Sequence, residues 1–560
     1  MTTDAPAGNA GNAGNDRVLA NTAVMAVGTV FSRLSGFVRS ALLAAALGAS
    51  LHADLFNVAN TIPNMLYILL AGGVVNAVLV PQLVRSAKRD ADGGEAYTSR
   101  IITLAVLFLG SVTVLLVVAA PWVMDLFLSS KYDDPNLADQ RDSIIDFARF
   151  CLPQVFFYGM FVLVGQILNA RNRFGPMMWA PIANNVISVG VLVIYLVVFG
   201  PAKGAELTGP FTSGQELLLG LGATAGIVAQ FVILVPYLSA SGYRYRPRFD
   251  FRHTGLAHTL RLGVWTVLFV VVNQVAYTVV VRLATTGTAS GGDGTGYTVY
   301  SQAFLIIMVP HSVITVSLAT AILPRLSRRA ERGDLDGVSL SLSETLRSAL
   351  AVVVPVALLL PFVAMDASHL IWGWGAAKND FDAYAPTLAL FGVGLVFFTV
   401  HYLMLRGFYS LERTRTVFWI QCAVAATNIV AALLIVHHVD AADTAPALVI
   451  AYTASYLVGA AISYGVLRGA LGGLRTPRLV RFVVRLLVAG AVATGAVALA
   501  TTAIGTPSVD DALWLALVRL AVAGLVELVV LVAMARVLRI REVTSMVEAF
   551  TRRLPVLSRP

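Results

Sequence analysis

The sequence predicts an all-α polytopic membrane protein. Of its 560 residues, 57% are hydrophobic and only 13% are charged, whereas soluble domains carry about 25% charged residues. The mean hydropathy is +0.78. Apolar runs of about 20 residues, each long enough to cross a hydrocarbon core of ~30 Å, recur from Leu19 to Arg536. The composition of the chain, and the length and recurrence of its apolar runs, together indicate that it crosses a membrane many times.

The apolar runs predict about fourteen transmembrane helices. Residues 1–17 precede them as a disordered cytoplasmic tail, because they lack the basic region and cleavage pattern of a signal peptide. Prolines at positions 63, 153, 310 and 355 fall inside spans and are expected to bend them. The predicted spans are 18–47, 54–84, 99–128, 144–170, 177–199, 216–239, 256–284, 298–324, 345–372, 384–409, 417–437, 444–467, 480–504 and 511–537.

Basic residues are concentrated in alternate loops. Arginines and lysines crowd residues 85–100, 171–173, 244–261, 325–347, 413–415 and 468–485 and the tail at 539–559. The intervening loops hold only Lys131, Arg141, Lys203 and Lys378. The positive-inside rule therefore predicts that both termini are cytoplasmic, as an even number of spans requires. The net charge of +9 is thereby explained by topology, and we predict no nucleic-acid partner.

The chain contains an internal duplication. VLVPQLVRSAKRD (78–90) matches AILPRLSRRAERGD (321–334) at an offset of 243, which also aligns Arg39 with Arg282. A shorter match aligns Arg173 with Arg413 at an offset of 240; the alternative is a chance likeness of basic loops. Six spans per repeat give both repeats the same orientation, related by a pseudo-two-fold axis along the membrane normal. We predict an N-lobe (18–240), a C-lobe (241–470), two extra helices (471–538) and a basic cytoplasmic tail (539–560).

Two parallel six-helix lobes are typical of transporters that work by alternating access around a central cavity. Three charges, Arg33, Arg39 and Asp54, fall in the first two spans, where each costs at least ~2.5–3.5 kcal/mol and marks a functional site by default. The planar guanidinium of arginine binds two phosphate oxygens and stays charged at low dielectric. Together with Arg282 from the second lobe, these arginines are able to clamp a diphosphate. The alternative is structural: Asp54 neutralises Arg39, and Arg33 or Arg282 reaches the membrane surface.

Other polar features in the spans are less specific. The second span carries a polar stripe interrupted by Pro63, which serves either interhelical hydrogen bonding or cavity lining. Its members are Asn57, Asn60, Thr61, Asn64 and Asn76. Glu527 in the last span either pairs with Arg519 or flanks a groove. The glycine-rich GTASGGDGTG (287–296) lacks the Lys-Ser/Thr of a P-loop and is expected to be a flexible outer loop. We predict no catalytic residues, metal site or cofactor.

Several motifs resemble the MurJ/MviN family of lipid II flippases. They are SRLSGFVRSALLAAALG (32–48), ADLFNVANTIPNMLY (53–67), VPQLVR (80–85), GQILNARNRFGPMMWAPIANN (165–185), ILPRLS (322–327) and RGFYSLERTRT (406–416). The resemblance covers about residues 20–470. The composition, rich in Arg, Ala, Val and Gly, is in the style of actinobacterial proteins.

This resemblance implies the fold of the multidrug/oligosaccharidyl-lipid/polysaccharide exporters and a bacterial cytoplasmic membrane location. It implies a transporter, not an enzyme, that moves lipid II, an undecaprenyl diphosphate-linked disaccharide-pentapeptide, to the outer leaflet. Membrane lipids and proteins of cell-wall synthesis or division are the expected partners. The expected substrate-binding residues are Arg33, Arg39, Asp54, Asn64, Tyr67 and Arg282.

The chain departs from the family pattern at three points. Tyr67 stands where an arginine is common, and YSQAFL (300–305) lacks the arginine of a frequent Tyr-Ala-Asp-Arg. Spans seven and eleven contain no Asp or Glu, so the sodium site of some members is not predicted here.

Two other functions remain open. One is a related exporter of another polyprenyl-diphosphate glycan, or a drug/cation antiporter of the same fold. Such an antiporter is expected to carry a carboxylate inside a second-lobe span, and we predict none. The other is a scaffold for cell-wall synthesis that recruits proteins through its basic loops and its 539–560 tail.

Overall fold

A computed structural model describes residues 31–32, 34–69, 94–171, 173, 175–251, 256–291, 293–505 and 507–551. In this part of the chain the regular structure is helical and contains no strand. The helices of the first half are α1 (Leu34–Leu47), α2 (Leu51–Ile68), α3 (Glu95–Val118), α4 (Ala120–Phe127), α5 (Ala138–Cys151), α6 (Gln154–Ala170), α7 (Gly175–Val198), α8 (Ser213–Val232) and α9 (Leu234–Ala240).

The second half continues with helices that are on average longer. They are α10 (Leu256–Thr288), α11 (Tyr297–Pro310), α12 (Ser317–Glu331), α13 (Leu335–Trp372), α14 (Tyr384–Ser410), α15 (Thr414–Val436), α16 (Thr444–Ala470), α17 (Thr476–Ile504), α18 (Leu513–Val537) and α19 (Arg541–Thr551).

The predicted spans agree with these helices. Within the described residues, 12 helices are long and apolar enough to cross a membrane, and they coincide with the last twelve predicted spans. The first two predicted spans begin or end outside the described residues, and α1 and α2 are their described parts. Pro63 lies within α2, and Pro310 leads α11 into a π-helical segment, His311–Val316, that continues as α12. The chain is a multi-pass helical membrane protein.

Buried apolar side chains are arranged differently at the two ends of the bundle. At the end where α1 stops and α2 begins, one core joins residues 43–219 of the first lobe to residues 280–452 of the second. At the opposite end the described residues form a separate core in each lobe, from residues 97–243 and from residues 319–543. We call these the Asp54 end and the arginine-rich end. The lobes are therefore packed together at the Asp54 end, while their cores are separate at the arginine-rich end.

The joint core is held by close helix contacts. The contacts between the lobes run through α2 and α4 on one side and α10 and α11 on the other. A turn of the second lobe adds Gly375, which has a φ of +57° and approaches the Ala45 carbonyl at the end of α1. A Cβ at Gly375 would overlap that carbonyl, so only glycine permits this approach.

The last two long helices are attached to the second lobe by a buried ion pair. Arg519 of α18 is 1% exposed and Asp366 of α13 is 2% exposed, and their side chains meet at 2.7 Å. Arg519 also contacts Asp511 at 2.5 Å. The Ser508 N–H and then Arg519 hold the pKa of Asp511, in the loop before α18, below its usual value. Because a buried charge is tolerated only when paired, this cluster fixes α18 against α13.

Two sequence interpretations are settled by this ion pair. Arg519 binds Asp366 and Asp511, so Glu527, two turns further along α18, is not its partner. The prediction that no second-lobe span contains a carboxylate is wrong, since Asp366 lies inside α13. Asp366 is, however, neutralised by Arg519. It is therefore not the free carboxylate that a cation antiporter needs.

We expect Asp366→Ala to lower the free energy of unfolding by about 3–5 kcal/mol, because Arg519 loses its most buried counter-charge. Asp336→Ala is the matched control, since it removes an exposed ion pair with Arg475 worth at most about 1 kcal/mol. Denaturation of the purified variants in detergent measures both changes. Equal stability of the two variants would contradict this assignment.

Candidate functional site

The carboxylate of Asp54 forms the central contact between the two lobes. Asp54 lies in the first turn of α2 and is completely buried. Its Oδ2 accepts hydrogen bonds from Thr288 Oγ1 at 2.8 Å and from the Tyr297 N–H at 3.0 Å. Its Oδ1 accepts one from the Thr298 N–H at 2.6 Å. Because Thr288 ends α10 and the other two residues begin α11, one side chain of the first lobe binds two helices of the second.

The N-terminus of α11 supplies the complement to the charge of Asp54. The first N–H groups of a helix have no partner within it, and the helix dipole places about half a positive charge there. An anion is therefore stabilised at this position without an arginine or lysine. Asp54 has no ion pair with any residue in the described part of the chain. The alternative that Asp54 neutralises Arg39 is therefore wrong for this structure.

Gly296 allows the carboxylate to reach this helix end. A Cβ at Gly296 would overlap Asp54 Oδ2 and would lie 2.6 Å from the Thr288 Cγ2. Any larger residue would therefore push α2 away from α10 and α11. Glycine is needed here for its small size and not for its backbone freedom, because the backbone at Gly296 is extended, with a φ of −136°.

The polar stripe of α2 extends the contact between the lobes. Asn57 donates to Thr298 Oγ1 at 2.8 Å, and Thr61 donates to the Tyr297 hydroxyl at 2.6 Å. Asp54, Asn57 and Thr61 are spaced i, i+3 and i+7, so they share one face of α2. This part of the stripe serves interhelical hydrogen bonding, which is one of the two interpretations left open by the sequence.

The contact continues further along α2. Gln274 of α10 donates to the Met65 carbonyl at 2.6 Å. The polar contact therefore extends over twelve residues of α2, from Asp54 to Met65, or about 16 Å of helix. Asn60 faces its own lobe, where Gln154 donates to it at 3.0 Å.

The glycine-rich segment before α11 is packed into this region. Thr295 donates from its N–H to the Ala441 carbonyl at 3.0 Å and from its hydroxyl to the Ala442 carbonyl at 2.7 Å. A Cβ at Gly287 would overlap the Thr295 carbonyl. The expectation of a simply flexible loop is therefore wrong at Gly287 and at residues 294–296, where Gly287, Gly294 and Gly296 serve close packing. At Gly291 a Cβ would meet no atom within 4 Å.

Arg282 is engaged at the same end of the bundle. It donates to the backbone carbonyls of Asp125 at 2.6 Å and Leu126 at 3.3 Å, near the end of α4. Cations are favoured at a helix C-terminus, where carbonyls lack partners. In this conformation Arg282 thus joins the lobes at the Asp54 end, and a role in binding substrate stays a prediction.

Arg39 is the other charged side chain of the predicted site in the described residues. It is half-buried in α1 and has no hydrogen bond or ion pair in the described part of the chain. It lines a recess of about 20 Å³ with apolar side chains that include Leu43 and Phe56. That volume suits about one water molecule, so a diphosphate does not fit this recess in this conformation. Among the described residues, Arg39 is therefore a cation without a fixed partner.

The small residues before Arg39 pack α1 against α7. Asn185 donates to the Ser32 carbonyl and to Ser35 Oγ, both at 2.9 Å. The Asn185 side-chain nitrogen lies 3.8 Å from the position of a Cβ on Gly36. Asn185 of α7 therefore packs closely against Ser35 and Gly36 at the start of α1.

The remaining predicted site residues are not gathered around Asp54. Asn64 is exposed and has no hydrogen bond within the described residues. The Tyr67 ring packs on Tyr158 of α6 with centroids 4.8 Å apart. Arg33 lies outside the described residues.

The second-lobe residues that bind Asp54 were not predicted from the sequence. Tyr297 lies 243 residues after Asp54, which is the offset of the internal repeat. The same register that aligns Arg39 with Arg282 thus aligns the first turn of α2 with the start of α11. Two helix starts that are related by the pseudo-two-fold axis can meet at that axis. The repeat offset of 243 residues was therefore a signal in the sequence for this contact.

Comparison with known proteins now identifies the family. The family model for lipid II flippase MurJ matches residues 43–514 of this chain. The chain belongs to this family. It is therefore a transporter and not an enzyme, as the motifs predicted.

Curated relatives extend over most of the chain. It is 26% identical over 502 residues to the probable lipid II flippase MurJ of Vibrio cholerae, covering 86% of this chain and 88% of the relative. It is 26% identical over 398 residues to the lipid II flippase MurJ of Burkholderia cenocepacia, covering 69% and 72%.

Solved structures show the same fold. A lipid II flippase MurJ in an inward closed conformation aligns with a TM-score of 0.70 and 17% identity over 92% of this chain and 99% of that one. An inward-facing multidrug resistance transporter of the MATE family aligns with a TM-score of 0.62 and 14% identity, over 79% and 95%. The multidrug/oligosaccharidyl-lipid/polysaccharide exporter fold predicted from the sequence is confirmed.

We expect Gly296→Ala to destabilise the Asp54 end by about 1–3 kcal/mol, the usual cost of overpacking, because its methyl group overlaps the Asp54 carboxylate. Gly190→Ala is the control, since a Cβ there meets no atom within 4 Å and alanine favours a helix by about 0.5–1 kcal/mol. Thermal melting in detergent, followed by tryptophan fluorescence, compares the two. If the Gly296→Ala variant has the same melting temperature as the parent, the small size of Gly296 is not needed.

Proposed function

We propose that this protein moves lipid II from the inner to the outer leaflet of the bacterial cytoplasmic membrane. The observation that carries the proposal is the match of the lipid II flippase family model to residues 43–514. In the proposed orientation the arginine-rich end and both termini are cytoplasmic, because basic loops are retained on that side. The proposed lobes are residues 18–240 and 241–470, followed by the helical pair 471–538.

Alternating access is the mechanism we propose for this movement. The joint core and the Asp54 contacts close the outer end, while the separate cores leave the lobes free to part at the cytoplasmic end. Lipid II then enters from the cytoplasmic side. Transport requires the reverse state, in which the lobes separate along α2, α10 and α11.

The chemistry of the Asp54 contact suits a gate that must open. The carboxylate is held by one hydroxyl and two N–H groups, and hydrogen bonds to a charged group contribute about 1.5–3 kcal/mol each. When the lobes part, water can replace these donors. A buried ion pair would instead leave two unpaired charges, which costs more.

Arg39 is the residue we propose for holding the diphosphate. It has no partner in the described residues, so its guanidinium is available to an anion. Each phosphate oxygen that it binds is a charge-assisted hydrogen bond, stronger than a neutral one. Arg33, Asn64, Tyr67 and Arg282 remain proposed contributors to this site.

We expect Arg39→Ala to lower the rate of lipid II flipping in reconstituted vesicles by at least about tenfold, the effect of losing one hydrogen bond to a charged group. Arg149→Ala is the control. Arg149 belongs to the same lobe and is paired with Asp146 on its own helix, where its side chain is 51% exposed. The control is expected to flip lipid II at the rate of the parent.

The same vesicles test the substrate. Flipping of fluorescent lipid II, with little flipping of a polyprenyl diphosphate that carries a different glycan, is the expected result. Equal transport of both lipids would favour the general exporter of polyprenyl-diphosphate glycans. Normal flipping by Arg39→Ala would remove Arg39 from the site.

We expect a disulfide between Asn57→Cys and Thr298→Cys to stop flipping. These side chains touch at 2.8 Å across the lobes, so the bond would hold the Asp54 end closed. The measurement uses a background in which Cys151 and Cys422 are replaced by alanine, with flipping assayed before and after reduction.

The control disulfide joins Asn60→Cys to Gln154→Cys, which are in contact at 3.0 Å within the first lobe. It should form without blocking transport, because it leaves the lobes free to move relative to each other. Undiminished flipping by a fully crosslinked Asn57–Thr298 pair would rule out opening at the Asp54 end.

A further inference from the structure

A recess at the arginine-rich end has an unusual concentration of positive charge. It has a volume of about 280 Å³ and lies where α13, α17 and the turn from α18 to α19 meet. Six arginines line it: Arg347, Arg478, Arg481, Arg485, Arg539 and Arg541. The recess is outside the contact between the lobes and is separate from Arg39 and Asp54.

Most of this charge has no partner among the residues that the structure describes. Arg347 is paired with Glu542 at 2.5 Å. The guanidinium groups of the other five arginines have no hydrogen bond or ion pair within the described residues. Like charges gathered around one recess repel one another, so an anion bound among them would lower the energy of the folded protein.

The backbone places one arginine at an unfavourable position. Arg539, in the turn between α18 and α19, has a φ of +54°, a region that glycine occupies without strain. The Arg347–Glu542 pair fixes α19 against α13 at this turn. The side chain of Arg539 is therefore held at the recess despite a backbone cost that glycine would avoid.

The surface of α17 continues from the arginines into an apolar strip. Arg478, Arg481 and Arg485 are spaced i, i+3 and i+7, and the same face continues with exposed apolar residues about one to four turns later. Those residues are Val488 at 47% exposure, Val492 at 46% and Leu499 at 76%. A cationic region followed by an exposed apolar strip matches a molecule with an anionic head and a hydrocarbon tail.

We propose that this recess binds the phosphate head group of an anionic membrane phospholipid, with its acyl chains along α17. The volume of the recess is several times that of a water molecule, about 30 Å³ in the liquid, so a glycerophosphate group fits. Basic recesses between transmembrane helices at the cytoplasmic surface bind such head groups. The lipid would link α13, α17 and α19 and so hold the last helices against the second lobe.

Free phosphate and the diphosphate of the transported lipid share this head-group chemistry. The apolar strip favours a lipid over free phosphate. The separation of the recess from Arg39 and from the contact between the lobes favours a resident phospholipid over the transported one. The proposal is independent of the transport function, because it concerns a lipid that stays bound.

Native mass spectrometry of the full chain in detergent tests this proposal. The probes are phosphatidylglycerol, phosphatidylcholine, lipid II and inorganic phosphate, each added alone and in competition. We expect phosphatidylglycerol to bind in preference to phosphatidylcholine and to raise the melting temperature. Binding should weaken as salt rises, because the arginines are exposed to solvent.

The test variant replaces Arg478, Arg481 and Arg485 with glutamine. We expect it to bind phosphatidylglycerol about tenfold to a hundredfold more weakly, given the usual contribution of each arginine near a membrane surface. The control replaces Arg325, Arg328 and Arg332 of α12 and its end with glutamine. These arginines have the same spacing and are also exposed, but they do not line the recess. The control should bind phosphatidylglycerol as the parent does.

Three results would overturn the proposal. They are equal loss of phosphatidylglycerol in test and control variants, displacement of the phospholipid by inorganic phosphate, and loss of lipid II with phosphatidylglycerol retained. If the triple variant fails to elute as a folded protein, Arg539→Gln with Arg541→Gln removes charge from the opposite wall and is judged by the same outcomes.

Discussion

The structure depends on how one buried carboxylate is satisfied. Asp54 carries a charge that hydrocarbon does not tolerate, and the first lobe offers it no cation in the described residues. The start of α11 in the second lobe provides N–H groups that lack partners of their own. Each lobe thus supplies what the other lacks, so the two meet at this point. Because Asp54 must reach the start of α11, residue 296 has to be as small as glycine, and the glycine-rich segment before α11 has to pack closely.

The rest of the bundle is arranged around this closed end. One apolar core crosses from lobe to lobe near Asp54, while separate cores stabilise each lobe at the arginine-rich end. A separate core in each lobe agrees with the alternating access that we propose, in which the lobes rock about their interface. The polar face of α2 adds hydrogen bonds that water can replace, which suits an interface that opens and closes.

The last two long helices are held by different chemistry. The Arg519–Asp366 pair is buried, and Arg519 donates hydrogen bonds to both carboxylate oxygens of Asp366. Because breaking this pair would be costly, it fixes α18 to α13. The basic recess beside α19 has the opposite character, because five of its arginines lack partners within the described residues. One contact pairs opposite charges within the protein, and the other gathers like charges for which we propose an anionic lipid as the partner.

The sequence by itself determined the helical membrane fold, the helix positions and the family. Runs of apolar residues and loop arginines are local properties that require no knowledge of packing. The motifs around Arg39 and Asp54 also predicted a functional region in the first two spans. Only the tertiary structure decided the partner of Asp54, because the repeat offset of 243 residues aligns the starts of α2 and α11 but does not show that they touch. For the same reason the sequence could not show that Arg519 pairs with Asp366, or that arginines from α13, α17 and α19 share one recess. Contacts between distant residues depend on how helices pack, and apolar periodicity does not encode that packing.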